Sequence, residues 1–528
     1  MKNLRILFPV IAGFIIALNC GAESVVLLHT NDTHSNIDPD KNGVGGVLQR
    51  KAIIDSVRKA EKNVILIDAG DAVQGTLYFK YFKGDVEYPL FNMMGYDIRI
   101  LGNHEFDNGI EEIAKYWATV DADRLSANYD FEDTPAKGLF KPYVIKKIGK
   151  RKIGFIGINI DPQSLISANN TGGMKYTDAI ESANRWATFL KAKNKCDLVV
   201  AVTHIGYRME PGKVSDIDLA RNSKDIDIII GGHSHSFVNP KTPEETPYWI
   251  ENAEGKPVLV AQTGKYGRNV GYIKIDLDDI KTRKFDYEYI PVTDRFSPSQ
   301  YDKEMEVFLS PYRAKVDSIN NVVVGYSYDY MPNGLKTGAL ANWAGDAGRQ
   351  IVTQIVDSLR AGAHNLPYPE FALMNVGGIR QPMPEGPVSE GRILEMFPFS
   401  NRLMLIRIKG SDILTTMGIV ARKGGEAVSS EIRVVTDDKG NMQHVLLNGK
   451  EIDPERYYTV ATIDYIAEGN DDMTPMARHE TLWADRQELG LRMLDFIRNL
   501  GKYGLGIEPD SVPRFTENYQ YDKDNYND

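Results

Sequence analysis

A chain of 528 residues is too long for a single hydrophobic core of ordinary size, so at least two domains are expected. With 42% hydrophobic, 10% aromatic and 25% charged residues, the composition excludes a disordered, collagenous or coiled-coil protein. A net charge of -10 excludes a nucleic-acid duplex or an anionic membrane surface as the main partner, since both require clustered Lys and Arg, yet it leaves room for an anionic small molecule at a locally positive site.

Residues 1–22 read as an export signal: Lys2 and Arg5 precede the apolar stretch Ile6 to Leu18, and Cys20-Gly21-Ala22 supplies small residues before Glu23. Two processing readings compete, cleavage after Ala22 or a lipid anchor on Cys20, although Asn19 is a poor residue to precede a lipidated cysteine. Loss of Lys2 and Arg5 takes the mature charge to -12 and leaves Cys196 without a conventional disulfide partner. No second stretch reaches the roughly 18 apolar residues of a transmembrane segment, and the expected location is periplasmic or cell-surface.

Along residues 23–296, short apolar runs alternate with amphipathic stretches, the pattern of an α/β layered domain. The runs are Val25–Leu28, Val64–Ile67, Ile98–Leu101, Ile153–Ile158, Leu198–Val202, Ile226–Ile230 and Val258–Ala261, with helices expected over Gly46–Lys59 and Thr177–Lys193. Residues 297–320 read as one charged connector helix with Met305, Phe308 and Val316 on a sparse apolar face. Residues 321–528 form a second α/β unit, with an amphipathic helix expected over Glu488–Leu500.

The chemistry lies in the residues just beyond the runs. His29-Thr30-Asn31-Asp32-Thr33-His34, Asp68-Ala69-Gly70-Asp71, Gly102-Asn103-His104-Glu105-Phe106-Asp107, Thr203-His204 and Gly231-Gly232-His233-Ser234-His235 each close an apolar run. Ligands of layered α/β proteins bind beyond the carboxyl ends of strands, so five strand ends are expected to deliver Asp, Asn and His to one rim. Any one of these motifs also fits a turn or a core histidine; five of the nine histidines placed this way do not. Carboxylates, a carboxamide and imidazoles without thiolate suit first-row divalent metals and are too rich in nitrogen for a dedicated Mg or Ca site. The expected cofactor is a pair of divalent ions about 3.5 to 4 Å apart, bridged by Asp71. Such a pair keeps the site positive enough for a phosphate on an acidic protein. Asp68 suits an orienting role beside the ligands. The sequon Asn31-Asp32-Thr33 overlaps the site, where a glycan would block chemistry.

At these residues the sequence resembles the secreted bacterial 5'-nucleotidase family. The resemblance implies a four-layered calcineurin-like metallophosphatase domain, a connector helix and a C-terminal mixed α/β 5'-nucleotidase domain that selects the substrate. It implies one ion held by Asp32, His34, Asp71 and His235, another by Asp71, Asn103, His204 and His233, and a catalytic dyad of His104 with Asp107. In the second unit Asn375-Val376-Gly377-Gly378-Ile379-Arg380 is similar to the family's phosphate- and ribose-contacting segment. Phe397-Pro398-Phe399 and Asp464 to Asp471 resemble the base-sandwiching segments, which implies stacking by Phe399 and Tyr465 and a ribose contact by Asp471. Three departures stand out: Lys336 where a second substrate arginine is usual, Tyr465 where phenylalanine is common, and Asn470 and Asp472 in place of glycines.

The resulting expectation is an exported two-metal phosphoester hydrolase converting nucleoside 5'-monophosphates to nucleosides and phosphate. Three alternatives remain: a phosphodiesterase for 2',3'-cyclic nucleotides, UDP-sugars or dinucleotides, which uses the same metal pair; a non-catalytic nucleotide-binding protein, which predicts lost ligands that this sequence does not show; and a hydrolase of a non-nucleotide ester, which the departures in the second unit leave open.

Overall fold

The computed structural model describes residues 23–517, apart from Ser164, Ser297 and Ala363. The expected export signal with Cys20 and the acidic tail after 517 lie outside the described residues.

The first half builds twelve principal strands: β1 (Ser24–Thr30), β2 (Val64–Asp68), β3 (Ile98–Ile100), β4 (Asp123–Leu125), β5 (Tyr143–Ile148), β6 (Arg151–Asn159), β7 (Leu198–His204), β8 (Ile228–Ile230), β9 (Trp249–Glu251), β10 (Pro257–Ala261), β11 (Asn269–Asp276) and β12 (Phe285–Pro291). They form two six-stranded sheets, ordered β12-β11-β1-β2-β3-β4 and β9-β10-β8-β7-β6-β5. Strands β1 to β4 run parallel, as do β6, β7, β8 and β10; antiparallel strands close every edge but that of β4. Strand periodicity sorts the side chains of β1 between two cores. Val25 and Leu27 join Ile153, Phe155 and Val200 between the sheets, whereas Val26 and Leu28 join Ile53, Ile54 and Phe91 under helices. Helices on both outer faces complete the four layers expected. Burying each such side chain contributes about 1.5 to 3 kcal/mol.

The expected runs reappear as strands, with shorter ends at β3 and β8. Strands β4, β5, β9, β11 and β12 were not among them: β4 is only three residues long, and strands at or next to a sheet edge alternate polar with apolar residues, as where β12 places Asp286 and Glu288 outward beside Phe285 and Tyr287. The helix Val47–Ala60 starts after Gly46, which has φ 91° and where a Cβ would fall 3.0 Å from the Pro39 ring. The helix Ala179–Ala192 is capped by the Asp178 carboxylate, which accepts from the Glu181 N–H at 2.8 Å. Beside it lies Cys196, 5% exposed.

The connector helix covers Lys303–Asn320, shorter than the expected span, because the Asp302 side chain caps it by accepting from the Met305 N–H. Its buried face is Met305, Leu309, Val316 and Ile319. Arg313 on this helix donates to Asp38 of the first half at 2.7 Å.

In the second half, a five-stranded mixed sheet is ordered Ala427–Val428, Phe371–Met374, Tyr457–Ile463, Arg402–Lys409, Glu480–Glu488, flanked by the helix Ala339–Ala361. A four-stranded sheet takes in Phe515–Glu517, which runs parallel to Ile432–Thr436. One apolar cluster runs without a break from Leu77 and Phe91 through Leu309 to Trp343 and Phe371. Among the described residues no helix is long and apolar enough to cross a membrane.

Candidate active site

The loops after β1, β2, β3, β7 and β8 meet at one rim, and seven predicted ligands converge there. Ligand atoms of Asp32, His34, Asp71 and His235 all lie within 4.8 Å of one another, as do those of Asp71, His204 and His233, so Asp71 is common to both groups. Asn103 sits beside the second group, its Oδ1 2.8 Å from His233 Nδ1. Close approach of the loops depends on glycine: a Cβ on Gly102 would fall 2.1 Å from Asp71 Oδ1, and one on Gly70 2.6 Å from the Gly102 nitrogen.

The ligand backbones are strained. Asp32, His34, Asp71, His233 and His235 all have positive φ, between 46° and 80°. Non-glycine residues pay on the order of 1 kcal/mol or more for that conformation, and the surrounding hydrogen bonds hold them in it. Asn31 donates to Asp32 Oδ2 at 2.6 Å and accepts from the Thr263 N–H and hydroxyl, which buries the sequon nitrogen away from any glycan. The His233 N–H donates to both Asp32 oxygens, and the His104 N–H donates to Asp71 Oδ1 at 2.9 Å. His204 Nδ1 donates to the Ala69 carbonyl at 2.7 Å, which leaves its buried Nε2, 3.1 Å from Asp71 Oδ2, for a ligand role.

Burial dominates the electrostatics. It drives His34 well below the ordinary imidazole range, His233 to about 3 and His235 to about 2, so these rings are neutral, the form that binds metal. Burial lifts Asp32 to about 7. His204 and Asp71 run against burial: 3.1 Å apart, they hold each other charged, His204 at about 10 and Asp71 well below the carboxylate range. His34 Nε2 and His235 Nε2 face one another at 2.8 Å, where only one can donate. Two imidazole nitrogens facing one another, a buried Nε2 of His204 turned to Asp71 and a carboxylate shared by both groups fit divalent cations.

His104 Nδ1 pairs with Asp107 Oδ2 at 3.0 Å. Burial lowers the imidazole, but Asp107 and then Asp71 outweigh it and raise the ring above its usual value. From the rim a cleft of about 420 Å³ opens toward the second half, lined by Asp71, Asn103, His104, Asp107, His233 and His235 on one side and by Asn375, Arg380, Phe399, Tyr465 and Asp471 on the other. Phe399 stacks on His104 at 5.7 Å between ring centres, and the Arg380 guanidinium lies 5.8 Å from the Phe399 ring. Asp471 accepts from the Tyr465 hydroxyl at 3.1 Å and the Asn375 amide at 3.4 Å. Lys336 is not in this cleft; it is exposed, donates to the Lys423 carbonyl at 2.7 Å and lines a neighbouring cavity of about 510 Å³.

Glu105 is a functional residue that the sequence pattern does not single out. Its buried carboxylate accepts from the backbone N–H groups of Asp71, Ala72 and Gly102, pinning the second ligand loop to the third. It stands directly after His104, so a signal existed, but only loop geometry turns it toward those amides. Asp68 accepts from the Thr30 hydroxyl at 3.1 Å and lies 3.6 Å from Arg99, beneath the ligands. His29 is fully buried at the crossing with Gly271, and His364 and His444 are exposed.

Residues 25–237 match the family profile of the calcineurin-like phosphoesterases, and residues 320–479 that of the 5'-nucleotidase C-terminal domain. Paired sheets, a rim of Asp, Asn and His, and these matches define a metal-dependent phosphoester hydrolase. The chain belongs to the family in which a calcineurin-like phosphoesterase domain is followed by a 5'-nucleotidase C-terminal domain. It is 27% identical to the 5'-nucleotidase of Vibrio cholerae over 91% of this chain and 93% of that protein. It is also 27% identical to the trifunctional nucleotide phosphoesterase YfkN of Bacillus subtilis, over 74% of this chain but only 27% of that longer protein. The solved structure of a 5'-nucleotidase precursor from Thermus thermophilus superimposes with a TM-score of 0.79 at 27% identity, covering 94% of this chain and 99% of that one.

Proposed function

We propose that this chain is an exported 5'-nucleotidase that hydrolyses nucleoside 5'-monophosphates to nucleosides and phosphate. The observation that carries this reading is the single cleft that joins the Asp71-centred cluster to Arg380, Phe399, Tyr465 and Asp471. Two divalent ions are proposed, one held by Asp32, His34, Asp71 and His235 and the other by Asp71, Asn103, His204 and His233. When bound, they supply Lewis acidity that polarises phosphoryl oxygens and acidifies water.

The chain's own residues do the rest. His104, held in orientation by Asp107, donates a hydrogen bond to a phosphoryl oxygen and assists departure of the ribose oxygen. Arg380 offers a planar fork to the phosphate. Phe399 and Tyr465 are the aromatic faces for the base, and Asp471, already an acceptor for Tyr465 and Asn375, is placed for ribose hydroxyls. Chemistry thus belongs to the division 23–296 and substrate selection to 321–528, joined by 297–320, with 1–22 as the export signal. The relatives named 5'-nucleotidase support the substrate class.

A second reading, hydrolysis of nucleotide sugars or cyclic nucleotides, draws support from the neighbouring cavity. It is lined by Arg208, Lys213, Lys265, Lys336 and Lys423 and shares Arg380 and His235 with the cleft, leaving room for a group beyond the phosphate.

Phosphate release from AMP, UMP, UDP-glucose and an aryl phosphate, with Mn, Co, Zn or chelator, tests both. Turnover of AMP and UMP is expected to vanish in chelator and in Asp71→Asn. In His104→Ala it is expected to fall about 100-fold or more while bound metal, measured by elemental analysis, stays at the wild-type level. Intact AMP and UMP beside cleaved UDP-glucose would overturn the monophosphate reading in favour of the second.

A further inference from the structure

The turn that closes the cleft on the second half carries two adjacent aspartates in the left-handed region, Asp471 with φ 54° and Asp472 with φ 62°. Neither is glycine, so each holds a conformation that its surroundings must stabilise. Asp471 is held by Tyr465 and Asn375. Asp472 does not line the cleft; its Oδ2 accepts from Lys423 Nζ at 2.6 Å and lies 3.3 Å from Lys213 Nζ. Lys423 Nζ also donates to the Asp471 carbonyl at 3.0 Å. Lys213 belongs to the metallophosphatase half, in the loop before the helix Asp216–Asn222, whereas Lys423 follows the helix Gly410–Arg422 of the second half. One carboxylate therefore bridges ammonium groups from the two halves, both of them lining the cavity beside the cleft, one residue from Asp471.

We propose that Asp472 is a positioning residue for substrate: with Lys423 it fixes the backbone of Asp471, and through Lys213 it ties the substrate turn to the metal-bearing half. Without the carboxylate, Lys213 and Lys423 would be left as like charges facing one another from the two halves, which works against holding the substrate turn to the metallophosphatase half. The groups are about one-third exposed, 34% for Lys213, 37% for Asp472 and 23% for Lys423, so salt screens the bridge. The inference rests on the reading that Asp471 contacts a nucleoside substrate.

The test compares wild type, Asp472→Gly, Asp472→Asn, Asp472→Glu and Lys213→Ala in the metal-loaded full chain. Glycine tolerates this φ, so Asp472→Gly is expected to fold. KM for a nucleoside monophosphate is expected to rise about two- to fivefold in the Gly, Asn and Ala variants, with kcat on an aryl phosphate unchanged and partial recovery in Asp472→Glu. Salt also screens the anionic phosphate, so wild-type KM is expected to rise more steeply between about 0.02 M and about 0.5 M NaCl than the KM of Asp472→Gly. A variant with wild-type KM and wild-type salt response overturns the proposal. If wild type itself cleaves the aryl phosphate and no nucleotide, the underlying substrate reading has failed. The bridge is then judged by X-ray scattering at low salt: a larger radius of gyration for Asp472→Gly than for wild type supports it, and coincident profiles overturn it.

Discussion

At Asp71 a carboxylate with a φ of 54° is wedged against Gly102, paired with His204 and shared by both ligand groups. Chemistry of this sort was legible in residue types: Asp, Asn and His after five apolar runs, without thiolates, point to divalent metal. The supporting side chains were not legible, because whether a loop carboxylate such as Glu105 turns toward backbone amides or toward solvent depends on backbone angles that no local pattern encodes. Nor was Lys336, whose place depends on which way a loop far from the strand ends is folded. Glu87 is a further buried carboxylate outside the ligand set, and burial raises it from 4.5 to about 7. Its folded pKa lies above its unfolded one, so its stabilising effect is complete below about 4.5 and is lost as pH rises through about 7. Glu87→Gln removes that loss. Urea unfolding at pH 5 and pH 8 is expected to show the variant gaining up to about 3 kcal/mol on wild type at the higher pH, and an equal difference at both pH values would count against it.

Elements carry the site because parallel strands end together. Once β1, β2 and β3 lie side by side, and β7 beside β8, their loops have one rim to occupy, which is why reading strand ends was productive. Edge strands and the chain's last strand were harder, since alternation with charged residues resembles a loop. The return of the chain to Phe515–Glu517 is held by Arg514, a buried guanidinium that donates to the Asn342 carbonyl at 3.0 Å, to the Val428 carbonyl and to Asp346, and pairs with Asp510 at 2.5 Å. Arg514→Ala leaves two carboxylates and two carbonyls without their donor. It is expected to cost about 3 to 5 kcal/mol and lower the melting temperature by several degrees. The same change at Arg433, half-exposed on the adjacent strand, is expected to cost under about 1 kcal/mol, and comparable losses at both positions would sink the claim.

Across the whole molecule, composition and length implied two units, and the composition of the strand ends implied which unit does the chemistry. What the sequence withheld is the continuity between them: one apolar cluster passes from the first half through the connector helix into the second, built from residues far apart in the chain. The halves are thus expected to unfold together in calorimetry. Because Asp32 and Asp71 sit buried, with His204 as the cationic partner of Asp71 and neutral rings at His34, His233 and His235, bound cations offset a desolvation cost that the metal-free protein meets only in part. Chelation is accordingly expected to lower the melting temperature by several degrees and readdition of Mn, Co or Zn to restore it, with an unmoved transition counting against ligation at this cluster.

Cys196 gives that cooperativity an internal clock. It is the one cysteine among the described residues, it is shielded by the β6 backbone at Gly154, and burial raises its thiol pKa, so alkylating reagents meet it only when the layer around it opens. The rate at which a thiol reagent labels native protein therefore reads the open population of the layer around Cys196 at low reagent and its opening frequency once alkylation outpaces reclosing, without an introduced probe.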